Sequence, residues 1–213
     1  MSSAPKRKLT TAEYLEIERA SMHGRSILYR GEMFAMGGAS REHNLITANI
    51  LRHIHVAFDG RSCEAYSSDM RIKNERTDSY FYPDVVATCE SPEFEDDVFD
   101  TLLNPQVIVE VLSKSTEHFD RGAKFEDYKQ LAPLKEYVLV AQDQMLVHCY
   151  TRETDSTWKY WSSNTPNDSL KLDSIDCAIA LSKIYEKVEF DDPDGSDGPL
   201  KVIEEKAEFT LPT

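Results

Sequence analysis

Asp84 in YPDVV, Glu110 in PQVIVEVLS and Lys124 in RGAKFEDYKQL are the residues of this chain whose types and order suit shared chemistry. Glu110 is the most informative of them. Val107, Ile108, Val109, Val111 and Leu112 surround it, so the run is apolar on both faces, the pattern of a central strand covered on each side. A carboxylate there loses its hydration, which is costly unless it is paired or coordinates an ion. Mg²⁺ takes oxygen ligands in near-octahedral geometry, and one or two carboxylates plus water and a substrate phosphate supply them. A lysine nearby can orient or deprotonate the attacking water and offset charge on the phosphate. Such acid–base help is worth on the order of 10²–10⁴ in rate. Two carboxylates and one lysine around a sheet are the minimum kit for a Mg²⁺-dependent phosphodiesterase.

The elements that would position these residues can be read in order. TTAEYLEIERA is a short helix, with Thr10 or Thr11 as cap and Glu13 in its first turn. Residues 27–36 form a hairpin or bent strand around Gly31, and Gly37 and Gly38 break it. Ser40 caps a long helix whose apolar subset Leu45, Ala48, Leu51, Ile54 and Phe58 faces a sheet, and Asp59-Gly60 ends it. Strands follow over 62–72, 79–89 and 106–113, the first two joined by the polar turn KNERTD and the last two by an acidic loop over 90–104. Alternation puts Ile108, Glu110 and Leu112 on one face of their strand and Val107, Val109 and Val111 on the other. Tyr82, Asp84 and Val86 share a face, so neighbouring strands would bring Asp84 and Glu110 together at a strand end. A helix runs from about Gly122 through Leu131 and stops near Pro133. EYVLVAQ and MLVHCYTR form a hairpin, STWKYWSS adds a strand, and IDCAIALSKIYEKVEF reads as a terminal helix. The order predicts an α/β (α+β) fold with one mixed central sheet flanked by helices and additional C-terminal strands. Residues 1–189 form a single domain, and 190–213 form an acidic, disordered tail.

Bulk properties restrict the alternatives. No run is long and apolar enough to span a membrane, and MSSAPKRKLT lacks the apolar segment of a secretory signal. Cys63, Cys89, Cys149 and Cys177 are scattered without a CxxC pair. That argues against a zinc site or a disulfide framework and fits four small buried residues in a reducing cytoplasm. The net charge of −14 opposes a polyanionic partner, but its distribution weakens the objection. Residues 90–100 carry six acids and no base, residues 189–213 carry eight acids and two lysines, and the remainder is close to neutral. No basic stripe is present, so DNA would gain nothing from long-range attraction. No P-loop, dinucleotide-binding glycine set or serine-nucleophile elbow occurs.

Each candidate also has an ordinary reading. Asp84 can be a turn or cap carboxylate after Pro83, Glu110 a buried partner of Arg71 or Lys73, and Lys124 a solvated helix lysine. The combination, in order, is what raises the chemical reading. YPDVV, VIVEVLSKST, FDRGAKFEDYKQL and EYVLVAQ, with GEMFAMGGASREHN upstream, resemble the Uma-two family of restriction-endonuclease-like proteins, part of the PD-(D/E)xK nuclease superfamily. The resemblance covers roughly residues 9–188. It implies a restriction-endonuclease-like fold and a Mg²⁺-dependent phosphodiester hydrolase site, with Mn²⁺ as a substitute. Asp84 fills the motif's Asp and Glu110 its second acidic position, and both would hold the metal. One departure matters: the position two residues after Glu110, where the motif has lysine, is Leu112. The resemblance moves the lysine to the next helix and points to Lys124, with Lys114 as a rival at the strand exit. Glu32 matches an upstream acidic position that helps hold metal in many nucleases of the superfamily. His43, in the first turn of the long helix where a cation is disfavoured, takes either a role in the catalytic site or a neutral hydrogen-bonding role at the helix start. Asp69 is a surface residue of a hairpin.

Two function classes follow. The first is a metal-dependent endonuclease acting on DNA, as a homodimer because cutting a duplex takes two sites. The second is a non-catalytic interaction protein that keeps the fold, since fold does not fix function.

Overall fold

The computed structural model describes residues 7–22, 24–154 and 157–190. Local signals start the elements as the sequence predicts. The Thr10 hydroxyl accepts a bond from Glu13 N while the Glu13 carboxylate accepts from Thr10 N, a reciprocal cap that opens helix α1 (Thr11–Ala20). Arg30 and Gly31, both at positive φ, make the two-residue turn between β1 (Ser26–Tyr29) and β2 (Glu32–Ala35). Ser40 Oγ accepts from His43 N and opens α2 (Arg41–Ala57). The face α2 buries is rotated from the expected one: Ile46, Ile50, Ile54 and the capping Phe58 are buried, Leu45 and Leu51 are partly covered, and Ala48 is exposed. The strict four-residue spacing of the isoleucines and Phe58 puts the larger side chains inward. Each such side chain removed from water contributes roughly 1.5–3 kcal/mol.

The segments read as strands over 62–72 and 79–89 do form a hairpin, but each is two strands. β3 (Glu64–Ser67) gives way to β4 (Arg71–Asn74), and β5 (Ser79–Phe81) to β6 (Val85–Thr88). A turn in which Met70 N bonds Ser67 O bends the first. Pro83, which has no N–H for a ladder and holds Tyr82 extended, bends the second. The paired segments thereby cross from one sheet into another, so the single central sheet of the sequence reading becomes two. The larger sheet has the order β11-β10-β9-β8-β6-β3, and the second has β2-β1-β5-β4-β7. The remaining members are β7 (Thr101–Leu102), β8 (Val107–Leu112), β9 (Glu136–Ala141), β10 (Val147–Arg152) and β11 (Trp158–Ser163). β8 runs parallel to β9 and β4 parallel to β7, while the other pairings are antiparallel, so both sheets are mixed. The loop expected over 90–104 supplies β7, which pairs through Arg71↔Thr101 and Ile72↔Leu102.

Two further expectations are corrected. The helix expected from about Gly122 through Leu131 starts there but ends sooner, as α4 (Ala123–Tyr128), and its lead-in is itself a short helix, α3 (Glu117–Arg121). The two meet at Gly122, whose φ of −112° and ψ of −103° fit neither. A Cβ there would stand 2.9 Å from His118 O, so the close approach requires glycine. The terminal segment read as a helix begins as strand β13 (Cys177–Ala180), paired with β12 (Ser169–Leu172), and only α5 (Leu181–Ile184) is helical. Its alternation Cys177, Ile179, Leu181 is of period two, which the helical reading overlooked. The tail expected from 190 onward lies outside the described residues except for Phe190, which packs on Tyr185 at 5.5 Å.

The larger sheet separates two cores. On one face α2, the β12–β13 hairpin and α5 bury Val85, Val107, Val109, Val111, Val138 and Val140. On the other, α4 and the second sheet bury Val86, Ile108, Leu112, Tyr137 and Leu139 with Phe81, Phe125 and Tyr128. The alternation read along β8 is therefore realised. Cys63 and Cys89 are joined by a disulfide, contrary to the expectation of four unpaired cysteines. They lie one residue beyond the Glu64↔Thr88 register pair, and this cross-strand proximity is invisible in their spacing along the chain. Cys149 and Cys177 are free and buried, as expected. No helix among the described residues is long and apolar enough to cross a membrane.

Candidate active site

Glu110 sits in the middle of β8, 4% exposed, and projects from the face that also carries Ile108 and Leu112. The Val85↔Val109 register of β6 and β8, continued by one residue, sets Asp84 opposite Glu110. Asp84 lies at the bend after Pro83, so it belongs to the chain as it passes between the sheets. Both of its oxygens are held: Oδ2 accepts from Val111 N at 2.7 Å, and Oδ1 lies 2.9 Å from Nε2 of His43. The Ser40 cap presents His43 to Asp84 from the first turn of α2. Tyr82, two residues before Asp84, fixes the bend through its hydroxyl, which donates to Glu18 Oε1 at 3.0 Å and accepts from Arg71 Nη1 at 3.2 Å.

Lys124 reaches Glu110 from α4. Its Nζ is 2.7 Å from Glu110 Oε1 and 3.1 Å from Asp120 Oδ1. Lys124 is 7% exposed and Asp120 3%, so the three charges form a dry cluster. The Tyr128 hydroxyl donates to Glu110 Oε1 at 2.8 Å, and the Tyr137 hydroxyl donates to Asp120 O at 2.9 Å. The Gly122 break turns α4 so that Lys124 and Tyr128, one helical turn apart, both point at β8. Arg71 and Lys73, the alternative partners weighed for Glu110, are committed elsewhere: Arg71 to Asp100, and Lys73 to Glu95 at 2.7 Å.

Burial pushes the Glu110 carboxyl up to about 8, with Lys124 opposing and Asp120 and Asp84 adding to the rise. Burial alone would lower Lys124, but the charges of Glu110 and Asp120 outweigh it and hold the ammonium protonated. With Glu110 ionised, Asp84, Glu110 and Asp120 against Lys124 leave a formal charge of −2, so a divalent cation would neutralise the cluster and favour loss of the Glu110 proton. The donors are hard oxygens. Glu110 Oε2 accepts nothing from the described residues, and a carboxylate such as Asp84 retains lone pairs beyond the two in use. Among the described residues no three His, Cys, Asp or Glu side chains converge on one point. A cation here would take Asp84 and Glu110 and complete its shell with water and substrate, as Mg²⁺ does beside phosphates.

Of the residues singled out from sequence, Asp84, Glu110, Lys124 and His43 come together. Glu32 does not join them. It is exposed at the start of the edge strand β2 and makes no hydrogen bond or ion pair with those four. Lys114 is exposed just beyond β8, and Asp69 is an exposed turn residue paired with Arg25. Asp120 and Tyr128 were missed. Their signal was the four-residue step Asp120, Lys124, Tyr128, which Gly122 made unsafe to extrapolate. The acidic loop is also more neutral than its composition suggests. Arg19 pairs with Asp96 and Asp100, Arg71 with Asp100, and Lys73 with Glu95.

Comparison with known proteins agrees with this architecture. A solved structure from Anabaena variabilis, titled as a putative nuclease belonging to DUF820, superposes with a TM-score of 0.69 over 83% of this chain and 97% of that one. At 14% identity it shows the fold alone. Two uncharacterized proteins of Synechocystis are nearer in sequence. One is 34% identical over 88% of this chain and 97% of its own length, and the other is 38% identical over 70% and 84%. Residues 11–182 match the Uma2 family, described as "putative restriction endonuclease". With that match spanning most of the chain over a restriction-endonuclease-like α+β architecture, the protein belongs to the Uma2 family.

Proposed function

We propose that this protein is a divalent-metal-dependent endonuclease that hydrolyses DNA phosphodiester bonds, with Asp84 and Glu110 holding Mg²⁺ and Lys124 acting beside them. The observation that carries the reading is the buried contact of Lys124 with Glu110, in register with Asp84 on the neighbouring strand. A fold seeking only stability gains little from such a group, because apolar residues of similar volume usually serve as well or better. When bound, the metal would lower the pKa of a coordinated water and stabilise the leaving oxygen.

The chain's own residues supply the rest. Val111 N and His43 fix both oxygens of Asp84, so its carboxylate enters the site without a choice of rotamer. Tyr128 holds Glu110 Oε1 and leaves Oε2 free. Asp120 restrains Lys124 so that its ammonium stays beside Glu110, where it can offset charge growing on a phosphate. The aromatic and aliphatic groups of the second core keep water from screening these interactions. A homodimer would supply the second centre needed to cut both strands of a duplex.

Incubation of plasmid and single-stranded DNA with Mg²⁺ or Mn²⁺ tests this. The parent should cut, and Asp84→Ala, Glu110→Ala and Lys124→Ala should each lose at least about 100-fold. Three variants cutting at the parent rate would remove the assignment. The excess of acidic over basic residues, 38 to 24, favours one competing reading, a non-catalytic interaction protein. Calorimetry showing no Mg²⁺ or Mn²⁺ site sensitive to Glu110→Gln would support it.

A further inference from the structure

The sheet face that carries Glu110 continues sideways to an open edge. Register pairs run Glu110↔Leu139, Leu139↔His148 and His148↔Ser162, one row across β8, β9, β10 and β11. The adjacent row on the same face is Ile108↔Tyr137, Tyr137↔Tyr150 and Tyr150↔Tyr160. At the usual spacing of ~4.8 Å between strands, β11 lies roughly 14 Å from β8. α4 covers the inner part of this aromatic row, with the Phe125 ring 4.9 Å from Tyr137 and 4.6 Å from Tyr150. The cover ends before Tyr160, which is 52% exposed at the sheet edge.

Tyr160 is exposed but anchored. Its oxygen is 2.7 Å from His148 Nδ1, and Arg121 Nη2 is 3.0 Å from His148 Nε2. Because a guanidinium only donates, Nε2 is an acceptor, the imidazole proton sits on Nδ1, and Nδ1–H donates to the Tyr160 hydroxyl. Burial and the Arg121 charge lower the His148 pKa, in keeping with that neutral form. The Tyr160 ring also packs against Tyr150 at 5.2 Å. The His148 imidazole, 5.9 Å away and 25° from parallel, lies alongside the ring as well, and the ring stays half exposed. Arg121 links this platform to a polar recess beside the end of β8, which Ser113, Lys114, Glu117, Gln142 and Asp143 also line. The recess holds two cations and two carboxylates, and Glu117 pairs with Arg121 at 2.7 Å. It has little net attraction for a phosphate chain.

We propose that Tyr160 is a stacking platform for an unpaired base a few nucleotides along the strand from the scissile phosphate, and that the substrate is DNA with a single-stranded segment beside the cut rather than uninterrupted duplex. The inference rests on the nuclease reading. Duplex binders depend on neutralising many phosphates, and the cations around this face are engaged: Arg121 with Glu117, Lys129 with Glu126, and Arg152, over the Trp158 ring, with the carbonyls of Lys129, Leu131 and Leu134. Base–aromatic stacking needs no charge and tolerates any sequence, but it requires a base face that pairing within a duplex hides.

Fluorescence anisotropy with a short fluorescein-labelled single strand and with its duplex, Ca²⁺ replacing Mg²⁺ to prevent cutting, tests the platform. The single strand should bind the parent about tenfold more tightly than the duplex. Its affinity should fall with salt at a logarithmic slope no steeper than about −1.5, corresponding to about two phosphates. Tyr160→Ala should lose about tenfold on the single strand and nothing on the duplex, while Tyr160→Phe, which keeps the ring, should bind as the parent does. Tyr160→Leu, which keeps apolar packing without the flat face, should lose as much as alanine, and thermal melts confirm folding. Equal binding of duplex and single strand, or parent-like binding by both Tyr160→Ala and Tyr160→Leu, overturns the platform while leaving the nuclease reading standing. A parent that binds neither form removes both.

Discussion

Glu110→Gln should stabilise the protein while abolishing the proposed DNA cleavage. Burial, with Asp84 and Asp120 nearby, raises the Glu110 carboxyl from 4.5 to about 8. An acid whose folded pKa is raised opposes folding wherever it would otherwise be ionised. The penalty is therefore absent below pH 4.5, grows as pH rises, and levels off above about 8. At pH 7 it amounts to about 3 kcal/mol. Glutamine keeps an acceptor oxygen for Tyr128 and for Lys124, and Lys124 retains Asp120. The attraction of Lys124 is already contained in that raised pKa, so only weaker hydrogen bonds to the neutral amide offset the gain, by about 1 kcal/mol, leaving about 2 kcal/mol. For a domain of this size that corresponds to a rise in Tm of about 4–8 °C. Thermal unfolding followed by circular dichroism at pH 7 and near pH 5 would show a difference that shrinks on acidification. Added Mg²⁺ should raise the parent's Tm and leave the variant's unchanged, because ligand binding stabilises only a state that holds the site. A variant less stable than the parent by 3–5 kcal/mol at pH 7, the usual cost of breaking a buried pair, would make Glu110–Lys124 a structural ion pair and refute the reasoning.

Other expectations concern the surroundings. Lys124→Met leaves Glu110 and Asp120 buried without their cation and should cost about 3–5 kcal/mol in urea unfolding; a loss under about 1 kcal/mol would mean the cluster is open to water. Burial pushes the Asp100 carboxyl up, but hydrogen bonds from Arg19 and Arg71 outweigh it and hold it well below the ordinary range. The resulting stability is present above the unfolded value of 3.8 and fades as pH falls below it. Asp100→Asn should therefore cost about 2–3 kcal/mol at pH 7, with the gap from the parent closing in acid. The disulfide closes a loop with a sequence separation of 26, so dithiothreitol should reduce stability by about 3.5 kcal/mol. Thiol titration before and after reduction would show whether Cys63 and Cys89 account for the change.

The elements that sequence revealed were those governed by local chemistry. Thr10 with Glu13, Arg30-Gly31 and Ser40 each act within a few residues, and each starts or turns the chain where it was read. The apolar run around Glu110 was legible because burial on both faces leaves no polar positions to confuse the period. What was not legible depended on partners distant in sequence. The bends after Ser67 and at Pro83 divide a hairpin between two sheets, and only the second sheet's existence makes that division favourable. Cys63 and Cys89 meet through register, which strand identity alone does not set. At the site, Asp84, Glu110 and Lys124 could be listed from their order, and His43 could be placed near the start of α2. The contact between His43 and Asp84 required the relative placement of a helix and a sheet. Asp120 was hidden by Gly122, because spacing along a helix cannot be carried across a break.

The doubled bend of the hairpin has a mechanical consequence. β3 and β4 are one segment of chain, as are β5 and β6, so the two sheets are joined by a pair of continuous struts. Asp84 lies in one of these struts, clamped on its far side by Val111 N and His43. A load applied to the second sheet therefore has a covalent route along the backbone to the carboxylate that faces Glu110, beside the route through the core the two sheets share. The hydrogen bonds of Tyr82 with Glu18 and Arg71 tie that strut to α1 and β4 just before it reaches Asp84.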